Sequence, residues 1–193
     1  MGNNRIAALA ACLVFAACAE VPPLRPAAAE EAPAAEYGFG TLGELAGTRW
    51  RGEPPEPDAE GLVDYSEWDW DLGGTVLVNR HVISDGSYGG VTYIQKTRTP
   101  GVLSYVYVTS AQFWTAGSFT LSEDGSWVAE EAVEGHPHVL KVRSTGRINA
   151  DGTMSSASEF LGDDGAWTPG HAFTYSRTDE PMPALAPSDK APE

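Results

Sequence analysis

Cysteine is almost missing from this chain. It has two, Cys12 and Cys18, and none beyond residue 18. That excludes an internal disulfide downstream, a cysteine nucleophile there, and any Cys-x-x-Cys redox or zinc motif. Positive charge is also scarce. Twelve Lys and Arg stand against 27 Asp and Glu, for a formal net charge of −15. Nucleic acid and anionic lipid headgroups repel such a chain. No apolar run approaches the ~20 residues that span a bilayer. A Gly-x-Ser-x-Gly elbow, a phosphate-binding loop and a calcium loop are missing too, so no reaction is written in a local motif. Solubility is the simplest account of the acidity, and attraction of a cationic ligand is the sharper alternative.

Aromatic residues are plentiful: six Trp, seven Tyr and six Phe. They supply large apolar area per residue, which a domain without disulfides needs for its core. The length, 193 residues, suits one domain of ordinary size.

The first residues, MGNNRIAALAACLVFAACAE, have one positive charge at Arg5, an apolar run from Ile6 to Ala17, and small residues ending at Cys18. This order predicts an export signal over 1–17. A cysteine closing such a run resembles the lipobox of bacterial lipoproteins. The resemblance implies a covalent lipid on Cys18 and a bacterial envelope location facing the periplasm. Cleavage before Cys12 would leave too short an apolar segment, Ile6 to Ala11. An A-x-A reading of Ala17-Cys18-Ala19 would instead release a soluble periplasmic protein. Met-Gly at the start does not read as myristoylation, because position 6 is Ile.

Residues 18–39 are rich in Ala, Pro and Glu and read as a disordered linker; 179–193 have the same character and read as a disordered tail. The folded unit is expected over 40–178. Within it, Asp85-Gly86, Asp124-Gly125, Asp151-Gly152 and Asp164-Gly165 are hairpin signals. Between the turns lie about ten β-rich runs, and only Leu42–Ala46 looks helical. The spacing predicts an all-β chain whose antiparallel hairpins close into an up-and-down barrel, with a β-sandwich as the other solution.

Period-two alternation assigns faces. Ser66, Trp68, Trp70 and Leu72 share one face, and Tyr65, Glu67, Asp69 and Asp71 share the other, expected in water. Leu103, Tyr105, Tyr107 and Thr109 share a face; so do Leu77, Asn79 and His81, and so do His171, Phe173 and Tyr175. If these faces line the interior, aromatic rings with scattered His and Asn form a small-molecule pocket. The residues expected to line it are His81, Tyr93, Tyr105, Tyr107, His171 and Tyr175. His136-Pro137-His138 supplies at most two metal ligands at a turn, so no metal site is expected.

Glu44-Leu45-Ala46-Gly47-Thr48-Arg49-Trp50 opens the domain and Phe173-Thr174-Tyr175-Ser176-Arg177 closes it. This resembles the calycin superfamily of lipocalins and fatty-acid-binding proteins. Trp70-Asp71-Leu72-Gly73-Gly74 and the strand after it are similar to bacterial lipocalin-like proteins of the DUF1579 type. The resemblance implies a ligand-binding barrel in which Arg177 covers Trp50. It supplies no catalytic residue. In nitrobindin-like barrels, of the same architecture, an imidazole binds haem axially. His171 could play that part, but no local motif accompanies it and no cofactor is expected.

The leading expectation is therefore a lipid-anchored barrel whose partner is a small hydrophobic or amphipathic molecule. An isomerase- or hydratase-type enzyme is the first alternative. It requires His81 or His171 within hydrogen-bond reach of a phenol or carboxylate in the pocket. An envelope interaction module using the apolar face of Val102, Val106 and Val108 is the second.

Overall fold

The computed structural model describes residues 38–56 and 61–187. The expected leader, the lipid site Cys18, the linker as far as residue 37 and the end of the tail lie outside the described residues.

Among the described residues there is one short helix, α1 (Gly40–Gly43), and ten strands. The strands are β1 (Thr48–Glu53), β2 (Asp64–Asp71), β3 (Val76–Ile83), β4 (Gly89–Lys96), β5 (Val102–Thr109), β6 (Trp114–Leu121), β7 (Ser126–Glu134), β8 (Val139–Ile148), β9 (Met154–Gly162) and β10 (Trp167–Arg177). Each pairs antiparallel with its sequence neighbours, and β10 returns to pair with β1, so the sheet closes as a barrel. The closing seam pairs Trp50–Glu53 with Thr174–Arg177. Every β-rich run of the sequence is a strand, the helical turn forms slightly earlier than its pattern suggested, and the sandwich is ruled out. Such a closed antiparallel barrel is consistent with a lipocalin-like fold.

The hairpins run alternately up and down, giving the barrel a floor and a mouth. At the floor, Phe39, Leu42 and Leu45 are fully buried and pack with Trp50, Trp68, Leu77, Ile94, Leu103 and Trp127. Each of those six is an inward residue near the floor end of its strand. Thr41 Oγ1 donates to the Gly125 carbonyl of the β6–β7 hairpin at 3.3 Å, which holds α1 across this end. The Arg177 guanidinium lies 5.0 Å from the centre of the Trp50 ring, the pairing that the resemblance implied.

Two turns place a non-glycine residue at positive φ: Leu72 between β2 and β3, and Gln112 between β5 and β6. The β2–β3 hairpin places Leu72 at φ 46° and Gly73 at φ 67°, and the Gly74 N–H donates to the Asp71 carbonyl at 3.0 Å. Leucine is a poor residue for the left-handed region because its Cβ crowds the backbone. Its alternation suggested a side chain on the tryptophan face; the turn instead leaves it in solvent.

Residues 179–187 have no helix or strand and lie along the barrel. The Thr178 N–H donates to the Arg49 carbonyl at 3.0 Å and the Ala186 N–H to the Gly86 carbonyl at 2.9 Å. Between these points Glu180 accepts from the Tyr65 hydroxyl. The segment crosses the outer wall from floor to mouth. Proline and alanine composition obscured this, because the anchoring bonds are mostly backbone ones.

Candidate functional site

Strand register fixes which side chains meet inside the barrel. At the floor half they are large and close-packed. Toward the mouth they change character: Thr92, Ser144, Ser156 and Ser158 are small, and Phe160, Phe173 and Glu131 are only partly buried. The interior is close-packed at one end, and its side chains are partly exposed toward the other.

The mouth half holds a chain of five polar side chains. The Tyr175 hydroxyl donates to Asp64 Oδ2 at 2.8 Å. Asp64 Oδ1 lies 2.9 Å from His81 Nδ1. His81 Nε2 lies 2.6 Å from the Tyr107 hydroxyl, and that hydroxyl lies 2.7 Å from the Tyr88 hydroxyl. The Asp64 side chain is 6% exposed and that of His81 18%. A buried carboxylate is tolerable only with such donors around it. Tyr88 in turn lies against Phe113, and Phe113 meets His136 edge-on. The chain thus runs from the β1–β10 seam to the rim.

Glycines make this possible. Tyr175 on β10 stands opposite Gly52 on β1, and Gly52 stands opposite Asp64 on β2. The phenol ring lies across β1 to reach the next strand but one. A Cβ on Gly52 would stand 2.4 Å from Tyr175 Cε1. The arrangement recurs at Gly90 on β4, which pairs with His81 on β3 while the Tyr107 ring from β5 passes over it; a Cβ there would stand 2.3 Å from the ring. Tyr105 also stands opposite Gly117, and Gly117 opposite Glu131, but there a Cβ would meet the Glu130 backbone instead of a ring. Inside a strand a glycine of this kind marks a close approach.

Glu131 forms the second polar centre. It accepts from the hydroxyls of Thr115 and Tyr105. Burial pushes its carboxyl above the usual range, against the lowering effect of those two donors. Burial likewise pushes the phenols of Tyr105, Tyr107 and Tyr175 far above their ordinary value, and nearby Asp64 and Glu131 raise Tyr107 further. These tyrosines are therefore neutral hydrogen-bonding groups, unsuited to act as phenolate nucleophiles.

Five of the six expected lumen residues face inward: His81, Tyr105, Tyr107, His171 and Tyr175. Tyr93 does not. It pairs with outward Val78 and Val106, beside fully buried Ile94, and is 41% exposed on the outer wall. Tyr105 and Tyr175 are buried, so they shape the lumen more than they present surface to it. His171 is exposed and sits between the rings of Phe160 and Phe173, with centroids 5.6 and 6.3 Å away. Asp64, Tyr88 and Glu131 were missed. Glu131 carried a readable signal, since it interrupts the apolar face of Trp127, Ala129 and Val133.

The remaining histidines are at the rim. His136 Nδ1 accepts from the backbone N–H groups of His138 and Val139, which stabilises the turn. His138 is exposed, 3.4 Å from Asp163. No three His, Cys, Asp or Glu side chains among the described residues are grouped to hold a metal ion.

Two open depressions lie on the outer wall. One, of about 410 Å³, runs over Val128, Thr145, Ala157 and Ala172, where outward side chains are short. The other, of about 360 Å³, lies near the floor beside Arg49, Glu67 and Asp179. Neither contains the polar chain. The outer faces of β4, β5 and β6 also expose Tyr93, Val106, Val108 and Trp114 as adjoining residues.

No protein-family model matches this chain, and no curated protein matches it. Among solved structures, the crystal structure of Rv2717c from M. tuberculosis is similar, with a TM-score of 0.54 and 17% sequence identity over 76% of this chain and 98% of that one. A likeness at that identity is one of fold: the two chains share a barrel.

Proposed function

We propose that the mouth half of the lumen binds a small apolar or amphipathic molecule, in a bacterial envelope where a lipid on Cys18 anchors the chain. The observation that carries the binding reading is the change in interior packing. Large buried side chains fill the floor, whereas Ser144, Ser156 and Ser158 face partly exposed Phe160, His171 and Phe173. Aromatic walls with a few placed polar groups suit a ligand that is apolar at one end and polar at the other. The envelope reading is supported by the leader sequence alone.

Native mass spectrometry of the mildly purified full chain is the first test. A thermal-shift panel of fatty acids and hydrophobic metabolites is the second. A bound ligand raises the midpoint by linkage, and Ser156→Trp, which fills the lumen, should abolish the rise. A flat panel, or a rise that Ser156→Trp leaves intact, counts against the lumen. Fractionation of Cys18→Ser checks the anchor, which predicts loss of the protein from the membrane fraction.

The second reading is a proton-transferring enzyme. The observation favouring it is His81, held between a carboxylate and a phenol at 2.9 and 2.6 Å. That is the juxtaposition a general acid–base needs. Turnover lost in His81→Gln with ligand binding retained would select this reading.

A further inference from the structure

The lumen has a sign. Of the ionisable side chains at inward positions of the mouth half, Asp64 and Glu131 are acids and His81 and His171 are imidazoles. Arg51, Arg80, Lys141, Arg143 and Arg147 all occupy outward positions by register. Arg177 is inward but lies over Trp50 at the floor. Glu131 forms no ion pair with a described residue. Its partners are two neutral hydroxyls, and burial disfavours its charge.

The hydrogen-bond chain points the same way by a separate route. Asp64 accepts one hydrogen bond from Tyr175 and one from His81 Nδ1. In the tautomer with its hydrogen on Nδ1, His81 accepts at Nε2 from Tyr107. Tyr107 has then spent its hydrogen, so the hydroxyl 2.7 Å away on Tyr88 donates to it. Tyr88 is left with a free lone pair and no hydrogen to offer. In that tautomer the chain ends at the mouth as an acceptor. Glu131 lies close enough to act on the Tyr88 phenol electrostatically. A carboxylate and an acceptor hydroxyl thus share the mouth half of the barrel, among aromatic rings whose faces also favour positive charge.

We propose that the lumen selects an organic cation, an ammonium group carried on an apolar body, with Glu131 as counter-ion and the Tyr88 hydroxyl oxygen as second acceptor. The assignment rests on the lumen-binding reading and names its ligand class. An ammonium provides a charged donor, which neither group has, and it neutralises a carboxylate that is costly to hold alone. The negative charge of the whole chain would draw such a ligand toward the mouth.

The test is a charge series with one apolar body. The full chain is titrated at neutral pH with 2-phenylethylammonium, 2-phenylethanol and 3-phenylpropanoate, and tryptophan fluorescence is read. The ammonium should bind about tenfold more tightly than the alcohol, the size expected of one charge-assisted bond. The carboxylate should bind most weakly. Glu131→Gln, nearly the same shape, should bring the ammonium to the level of the alcohol, and Tyr88→Phe should remove part of the preference. Equal binding of alcohol and ammonium by the unaltered protein overturns the cation assignment while leaving the lumen reading intact. A preference that survives Glu131→Gln overturns it as well. If none of the three probes binds, the cation assignment falls whatever the fatty-acid panel shows.

Discussion

Tyrosine to phenylalanine is one chemical change, and this barrel offers it at three depths. Tyr175→Phe removes the donor to Asp64 Oδ2 at 2.8 Å. The carboxylate it leaves is 6% exposed, so water cannot easily replace the lost bond. Hydrogen bonds to charged groups contribute about 1.5–3 kcal/mol, and the upper part of that range applies when the acceptor stays buried. We expect a loss of about 2–3 kcal/mol. Tyr107→Phe removes two bonds, to His81 and to Tyr88. Neither partner is a carboxylate and both are only partly buried, so we expect about 1–2 kcal/mol. Tyr93→Phe removes a hydroxyl from the outer wall and should stay within about 0.5 kcal/mol of the parent. Urea unfolding of the full chain at neutral pH, followed by tryptophan fluorescence, reads all three. The order is the test. If Tyr175→Phe unfolds at the same midpoint as Tyr93→Phe, Asp64 is not held by that phenol and the account of the chain fails.

Gly52→Ala should destabilise by about 1–3 kcal/mol through overpacking, because its new methyl meets the Tyr175 ring; in combination with Tyr175→Ala the methyl should cost much less, a coupling that a double-mutant cycle measures. Leu72→Asn should stabilise by about 0.5–1 kcal/mol, since asparagine tolerates the left-handed turn; an unchanged or lowered melting temperature would contradict the strain argument. The Glu131 carboxyl is raised in the fold, so the folded state holds its proton where the unfolded state has lost it. Its contribution to stability therefore falls as pH rises above the ordinary glutamate value of 4.5 and levels off once the folded carboxyl ionises, a slope that Glu131→Gln should remove from pH-dependent urea curves. Tyr105, Tyr107 and Tyr175 hold their protons above the ordinary phenol value, so ultraviolet titration should show them ionising only together with alkaline unfolding.

Strand positions and most inward faces were legible because alternation and Asp-Gly turns are local. Trp68 beside Glu67 and Asp69 states its own direction. Tyr93 shows where this ends. On β4 the faces are Gly90, Thr92, Ile94 and Val91, Tyr93, Gln95. Neither is clearly apolar, so an aromatic residue drew the assignment that register gives to Ile94. The site itself was half legible. His81 and Tyr107 could be named from their faces, but their meeting depends on Gly90 lying between them. Asp64 and Tyr175 meet only because the barrel closes, at a separation of 111 positions in the chain. No window on the sequence contains that pair.

The seam between β1 and β10 brings this last point to bear on synthesis. Trp50 and Gly52 leave the ribosome early, while Arg177 and Tyr175, their partners across the seam, emerge near the end. Until then β1 presents a bare flank and Asp64 lacks its phenol. The seam cannot form until this final hairpin is available. Contacts so distant in sequence slow folding, and stalled chains cut before β10 should be the ones that associate with each other or with holdase chaperones.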